Sequence, residues 1–258
     1  LIFANQRPDR ADWAVLNAAD PIVSRWAQHA PAGVAWFDVG DAAGRVPGVF
    51  LTDDALQWHD LDSEQVLIAH REDIQVPGLH NLANAACAAT MSILAGAPLD
   101  AVRAGLRSFR GVADRLEYLA TLRGVRFYND TTSTTPASTQ AALHALEGPI
   151  VLIAGGADKN LDFAAIAPTV AQRANAVILL EGTATDLMEG QFRDAGANIV
   201  GRYSNFEQAI RAAWEAAPDG GCVLLSPATA SFGMFRNEFD RGEQFRAIVS
   251  RLVENPTP

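Results

Sequence analysis

From residue 125 onward, short apolar runs alternate with apolar stripes at helical spacing. The runs are 125–128, 150–154, 176–180, 198–200 and 222–225. Apolar runs bounded by turn signals and rich in β-branched residues suit strands buried on both faces of a sheet. The stripes are 136–146, 163–174, 184–195, 206–217 and 238–253. Strands alternating with helices predict a parallel sheet covered on both faces.

The first half is less regular. Residues 12–17 and 33–37 read as strands, and Asp20-Pro21 opens a predicted helix that continues over 22–30, with Pro in the first turn. The stretch 38–67, rich in Gly, Asp and short apolar pairs, reads as short strands and hairpins. A helix follows Asn81, with Leu82, Ala86, Ala89 and Ile93 at helical spacing and Gly96 closing it. A second helix covers 100–109. The pattern changes around 110–116, so the sequence divides into a part at 1–112 and a part at 113–258, ending in a short polar tail, 254–258.

Three strand ends in the second part carry small or polar tips. The first is Asn129-Asp130-Thr131-Thr132-Ser133-Thr134-Thr135-Pro136, where Thr135 and Pro136 suit a helix N-cap and first turn. Five hydroxyls in a row exceed what a cap needs. The second tip is Gly155-Gly156-Ala157-Asp158-Lys159, in which the glycines permit a sharp turn or a close ligand approach. The third is Ser226-Pro227-Ala228-Thr229-Ala230-Ser231. Ligands of open α/β sheets bind beyond the carboxyl ends of the strands. Small-residue turns and helix starts there offer free N–H groups to anions. The three tips with Lys159 describe an anion pocket, although three unrelated connections can carry the same residues. In the first part, Asn81 and Asn84 stand three apart on one helix face and can read the edge of a base. Spacing alone favours a helix cap and an exposed amide.

Composition narrows the functional classes. The chain has 258 residues, 49% hydrophobic and 19% charged, with a net charge of −10. That balance is globular and argues against nucleic acid as a partner. No apolar run reaches the ~20 residues of a membrane span, and the opening residues show no basic region followed by an apolar core. Cys87 and Cys222 fit a reducing compartment and have no metal-ligand spacing. The expectation is a cytoplasmic protein without a membrane partner. The sequence contains neither G-x-x-x-x-G-K-[ST] nor G-x-G-x-x-G.

Taken in order, several motifs resemble the Mur ligases. They are Gly78-Leu79-His80-Asn81 with Asn84, Arg115-Leu116-Glu117, Asn129-Asp130 with its hydroxyl run, Gly155 through Lys159 with Asp162-Phe163, and Leu225-Ser226-Pro227-Ala228 through Ser231 to Arg241-Gly242. The last two are closest to the members that add D-glutamate. The resemblance implies an α/β fold: a Rossmann-like, doubly wound glutamate-binding domain at 113–258, preceded at 1–112 by the later part of an ATPase domain. On that reading, the phosphate loop, the Mg²⁺ ligands and a carbamylated lysine lie before Leu1. The implied reaction is ATP-dependent amide formation between UDP-N-acetylmuramoyl-L-alanine and D-glutamate through an acyl phosphate, in peptidoglycan synthesis. The resemblance gives adenine to Asn81 and Asn84, the phosphates to Arg115 and the ribose to Asp130. It gives the glutamate carboxylates to Thr134, Lys159 and Ser231, with Phe239 also at the substrate. Lys159 and Arg115 are the expected catalytic residues.

Three positions depart from the family pattern. Asp114 stands where His is usual, Thr132 where many glutamate ligases have Lys, and Asn237-Glu238-Phe239 where the run is Asn-Phe-Glu. They bear on fine specificity, including D- versus L-glutamate. Two other readings are a non-catalytic nucleotide or amino-acid binding module, favoured by the missing phosphate loop, and a related ligase of the folylpolyglutamate or diaminopimelate-adding type. The 258-residue chain alone is expected to be inactive.

Overall fold

The structure is a computed structural model that describes residues 2–7, 9, 12–40, 44–62 and 64–255. Leu1, positions 41–43 and Ser63 of the hairpin region, and the tail from 256 on lie outside the described residues. The chain divides into two compact units, Leu1–Arg110 and Gly111–Pro258.

The first unit is a five-stranded sheet in chain order: β1 (Trp13–Asn17), β2 (Gly33–Asp38), β3 (Gly48–Thr52), β4 (Ala55–His59) and β5 (Gln65–His70). The first three strands are parallel, and the last two continue as antiparallel hairpins. Helix α1 (Leu79–Leu94) lays Leu82, Ala85, Ala86 and Ala89 against Val49, Leu56 and Ile68, with α2 (Leu99–Ser108) beside it. The Thr90 hydroxyl ties α1 to β3 by accepting from the Val49 N–H at 3.1 Å while donating to its own helix at Ala86 O, 2.9 Å. The predicted helix over 22–30 is instead a 3₁₀ segment, Val23–His29, with no buried residue. Asp20 Oδ1 accepts from both the Ile22 and Val23 N–H groups, and Ile22 stays exposed. No apolar face is buried to stabilise an α-helix there.

The second unit is a doubly wound α/β sheet, as the alternating pattern predicts. Its strands are β6 (Glu117–Leu122), β7 (Val125–Asn129), β8 (Ile150–Gly155), β9 (Ala174–Leu180), β10 (Ile199–Tyr203) and β11 (Cys222–Leu225), in the spatial order β10-β9-β8-β11-β7-β6. All pairings are parallel except β6 with β7. Period-two alternation divides each central strand between two cores. Ile150, Leu152 and Ala154 face Leu143, Val170, Met188 and Phe192 from α3 (Pro136–Ala145), α4 (Ala167–Arg173) and α5 (Thr185–Asp194). Val151 and Ile153 face Ile210, Trp214, Phe245 and Val249 from α6 (Phe206–Ala216) and α7 (Glu238–Glu254). Each fully buried side chain of this kind contributes roughly 1.5–3 kcal/mol. Strand β6 is absent from the predicted pattern, and α4 begins four residues later than expected.

Candidate functional site

Neighbouring strands β8, β11 and β7 bring their carboxyl-end tips side by side. Backbone hydrogen bonds knit these tips together. The Gly155 N–H donates to Pro227 O (3.0 Å), Ala157 N–H to Ala230 O (2.9 Å) and Ala228 N–H to Ser133 O (3.0 Å). The tip after β8 also reaches the turn that follows β9, because the Asp158 N–H donates to the Thr183 hydroxyl at 2.8 Å. Two glycines make this closeness possible. Gly155 and Gly156 have φ +114 and +142, and a Cβ at Gly156 would fall 2.3 Å from Ala230 O. Only glycine adopts such backbone without strain.

Most of the hydroxyl run has structural work. Thr131 Oγ1 donates to Glu238 O (2.9 Å) and accepts from Arg241 Nε (2.9 Å). Thr132 Oγ1 donates to Asp114 O at 2.7 Å. Thr135 caps α3, accepting from the Ser138 N–H at 3.3 Å. Thr134 lies half-buried between these.

Asp130 is 4% exposed. Its Oδ1 accepts from the Leu116 N–H at 3.1 Å and its Oδ2 from the Ser226 hydroxyl at 2.7 Å. Burial pushes its carboxyl up to about 6, against the opposing pull of its hydrogen bonds and of Arg115. Asp130 therefore fastens the segment ahead of β6 to the tip of β11. Arg115 itself is exposed.

Lys159 is the only lysine among the chain's 20 basic residues. It is exposed at the end of the β8 tip, with its ammonium 5.8 Å from the centre of the Phe232 ring. Among the described residues it enters no ion pair. Ser231, on the partner loop, is 2% exposed, and its hydroxyl has no hydrogen-bond partner. A buried, unpaired hydroxyl is costly in a finished protein interior. Phe239 is 55% exposed on the first turn of α7, and Asn237 caps that helix through the Asp240 N–H.

Sequence reasoning quoted Arg241 within a motif but gave it no role. It is fully buried, bonds Thr131 through Nε and Nη2, packs over the Phe235 ring at 5.9 Å and leaves Nη1 without a partner. Desolvation pulls its guanidinium down to about 10. A signal was present, since Arg241 precedes Phe245 by one helical turn on the face that buries Ile248, Val249 and Leu252. Ser226 and Phe232 were also missed as individual contributors.

In the first unit, Asn81 is not the helix cap. Gly78 takes that position with φ 95, and the Asn81 amide donates back to Pro77 O at 2.7 Å. Asn84 is exposed one turn on, its amide 3.4 Å from Asn81 Oδ1. Among the described residues no group of three His, Cys, Asp or Glu is arranged to hold a metal ion, and no helix is long and apolar enough to cross a membrane.

The fold and these tips define an α/β protein with hydroxyls and one ammonium at adjacent strand ends, suited to a carboxylate ligand. Residues 114–229 match the family Mur ligase, glutamate ligase domain. The UDP-N-acetylmuramoylalanine–D-glutamate ligase of Roseiflexus sp. (strain RS-1) is 43% identical over 98% of this chain and 55% of its own length. That of Symbiobacterium thermophilum is 41% identical over 97% of this chain and 54% of its own. Residues 114–229 thus form a Mur ligase glutamate ligase domain, and nearly the whole chain is similar to these ligases. The chain spans about half the length of the curated relatives it matches. Two solved structures share the fold. The UDP-N-acetylmuramoylalanyl-D-glutamyl-2,6-diaminopimelate–D-alanyl-D-alanyl ligase of Acinetobacter baumannii superposes with TM-score 0.64 at 16% identity, over 95% of this chain and 52% of that one. A bifunctional folylpolyglutamate synthase/dihydrofolate synthase of Yersinia pestis gives 0.63 at 18%, over 93% and 53%. The near-equal scores separate no substrate class.

Proposed function

We propose that this chain is the glutamate-binding part, with a portion of the ATPase part, of an ADP-forming ligase. The reaction joins D-glutamate to UDP-N-acetylmuramoyl-L-alanine. The 41–43% identity to relatives of that name favours it over the folylpolyglutamate and diaminopimelate-adding alternatives. The γ-phosphate of ATP passes to the substrate carboxylate, giving an acyl phosphate and ADP. The glutamate amine then attacks the acyl carbon, and the tetrahedral intermediate expels phosphate. Positioning and charge neutralisation dominate such chemistry.

The chain's own residues bind and orient. Lys159 neutralises a glutamate carboxylate, and Thr134 and Ser231 donate hydrogen bonds to it, with Phe239 at the edge of the same site. Asn81 and Asn84 take the adenine, Arg115 the phosphates and Asp130 the ribose side, each by likeness to the family. Asp130 has both oxygens already engaged, so its first task is to fix the loop that carries Arg115. Mg²⁺ supplies charge neutralisation on the nucleotide when bound, and no step here is assigned to it.

The observation that carries this reading is the buried, partnerless Ser231 hydroxyl on a loop hydrogen-bonded to the loop bearing the chain's only lysine. The test is product analysis with the full-length protein, ATP, Mg²⁺ and UDP-N-acetylmuramoyl-L-alanine, offering D- or L-glutamate in turn. The expected outcome is one phosphate released per amide formed, with D-glutamate. An amide formed only with another amino acid, or none with any, would reject the assignment.

A further inference from the structure

Two departures from the family pattern, Asp114 and Thr132, lie in contact. The Thr132 hydroxyl donates to Asp114 O at 2.7 Å and the Thr132 N–H to the same oxygen at 3.2 Å. Asp114 is 5% exposed, and its Oδ1 accepts from Asn129 Nδ2 and from Arg246 Nη1, both at 2.8 Å. Glu117 Oε2 closes the cluster, accepting from the Asp114 N–H (2.9 Å), Asn129 Nδ2 (3.1 Å) and Arg246 Nη1 (2.7 Å). Gly242, one turn before Arg246 on α7, presses so close that a Cβ there would lie 2.1 Å from Asp114 Oδ1.

The backbone shows what this cluster holds. Asp114 and Leu116 have φ +68 and +44, so two non-glycine residues in the left-handed region flank Arg115. Such residues persist only where their surroundings over-determine them. Both are buried, whereas Arg115 between them is exposed. The Leu116 N–H is held by Asp130 Oδ1, whose other oxygen accepts from Ser226 on the β11 tip. An exposed arginine is thus presented from a turn locked on both sides and referred to the strand ends that carry Thr134 and Ser231.

We propose that Asp114, Glu117 and Arg246 form a clamp that positions Arg115 for the phosphates of ATP, making Asp114 and Arg246 positioning residues of the ligase. This rests on the reading of Arg115 given above. Asp114 works here through Arg246, in place of whatever a histidine does at that position in other members. A purely structural ion cluster would be indifferent to whether Arg115 is present, and that difference is measurable.

The experiment is a double-mutant cycle in the full-length protein, combining Arg115→Ala with Arg246→Met. Arg246→Lys serves as a milder variant should the methionine protein not fold. Steady-state kinetics vary ATP and glutamate separately, with a melting curve for each protein. Arg246→Met is expected to lower kcat/KM for ATP at least 10-fold while moving the glutamate KM less than about 3-fold. In the Arg115→Ala background the same change should cost no more than about 2-fold, because coupled residues are non-additive. Arg246→Lys should recover part of the loss. Multiplicative effects of the two substitutions would overturn the clamp, as would a loss from Arg246→Met that falls equally on both substrates and tracks the melting temperature. If Arg115→Ala alone leaves ATP kinetics unchanged, the reading of Arg115 itself fails and the clamp with it.

Discussion

Replacing Asp130 by asparagine tests the electrostatics of the site without any ligand. Folding moves this carboxyl from its ordinary value of 3.8 to about 6, mainly through burial. The folded chain therefore binds a proton between these values that the unfolded chain has released. Stability follows the difference in bound protons, so it falls as pH rises from about 4 to 6 and then levels off. About two pKa units at 1.36 kcal/mol each put the full change near 3 kcal/mol. Asparagine does not titrate. It keeps an oxygen for the Leu116 N–H and places an amide beside Ser226 in place of the second oxygen, a cost that does not vary with pH. Urea midpoints for both proteins between pH 4.5 and 7 should show Asp130→Asn gaining on the parent as pH rises, by about 2 kcal/mol. Parallel curves would mean that burial does not perturb the group. A gain in the opposite direction would mean that the bonds from Leu116 and Ser226 outweigh desolvation, and that the carboxyl is held low.

Three further outcomes are expected. Ser231→Ala removes a buried hydroxyl without a protein partner, so the melting temperature should hold or rise slightly. The KM for glutamate should increase about 10-fold or more, since a hydrogen bond to a charged group is worth about 1.5–3 kcal/mol. A stability loss with unchanged KM would give the hydroxyl a structural role. Gly242→Ala forces a methyl to within 2.1 Å of Asp114 Oδ1 and 2.8 Å of Thr131 Cγ2, and should cost about 1–3 kcal/mol by denaturant titration. An unchanged midpoint would show that α7 shifts freely. The purified 258-residue chain, whose sequence has no Walker-type loop, should release no phosphate from ATP and Mg²⁺ with both other substrates present. Stoichiometric release would refute that.

The second unit's sheet was legible because its central strands are continuous apolar runs, and a strand such as β8 is buried at all six positions. Strand β6 was not. It is an edge strand of half-buried residues, joined to β7 by Arg123-Gly124 with φ +48 and +79. A tight hairpin of this kind is normally announced by Asn-Gly or Asp-Gly, and arginine hides it. The late start of α4 was readable in principle, because Pro168 is tolerated only in the first helical turn. The site divides the same way. The glycine pair and the capping Thr135 can be read locally. The tasks of Thr131 and Thr132 depend on Glu238, Arg241 and Asp114, at separations of 107, 110 and 18 residues. No local pattern tells which hydroxyl of the run is left for a ligand. Arg241 failed for the opposite reason, as a charge on an apolar stripe that was passed over in reading the stripe.

Lys159→Ala in the full-length protein bears most directly on the glutamate site. The side chain is exposed, with its ammonium over the Phe232 ring at 5.8 Å, so its removal should leave the melting temperature unchanged. If bound glutamate covers the ammonium and pairs with it through a carboxylate out of contact with water, truncation costs about 2–5 kcal/mol, against about 0–1 for a pair left exposed. The former corresponds to a rise in the KM for glutamate of roughly tens- to thousands-fold, with the KM for ATP within about 2-fold. An unchanged glutamate KM and kcat, with glutamate and ATP varied separately, would contradict the assignment of this sheet end to the glutamate carboxylate.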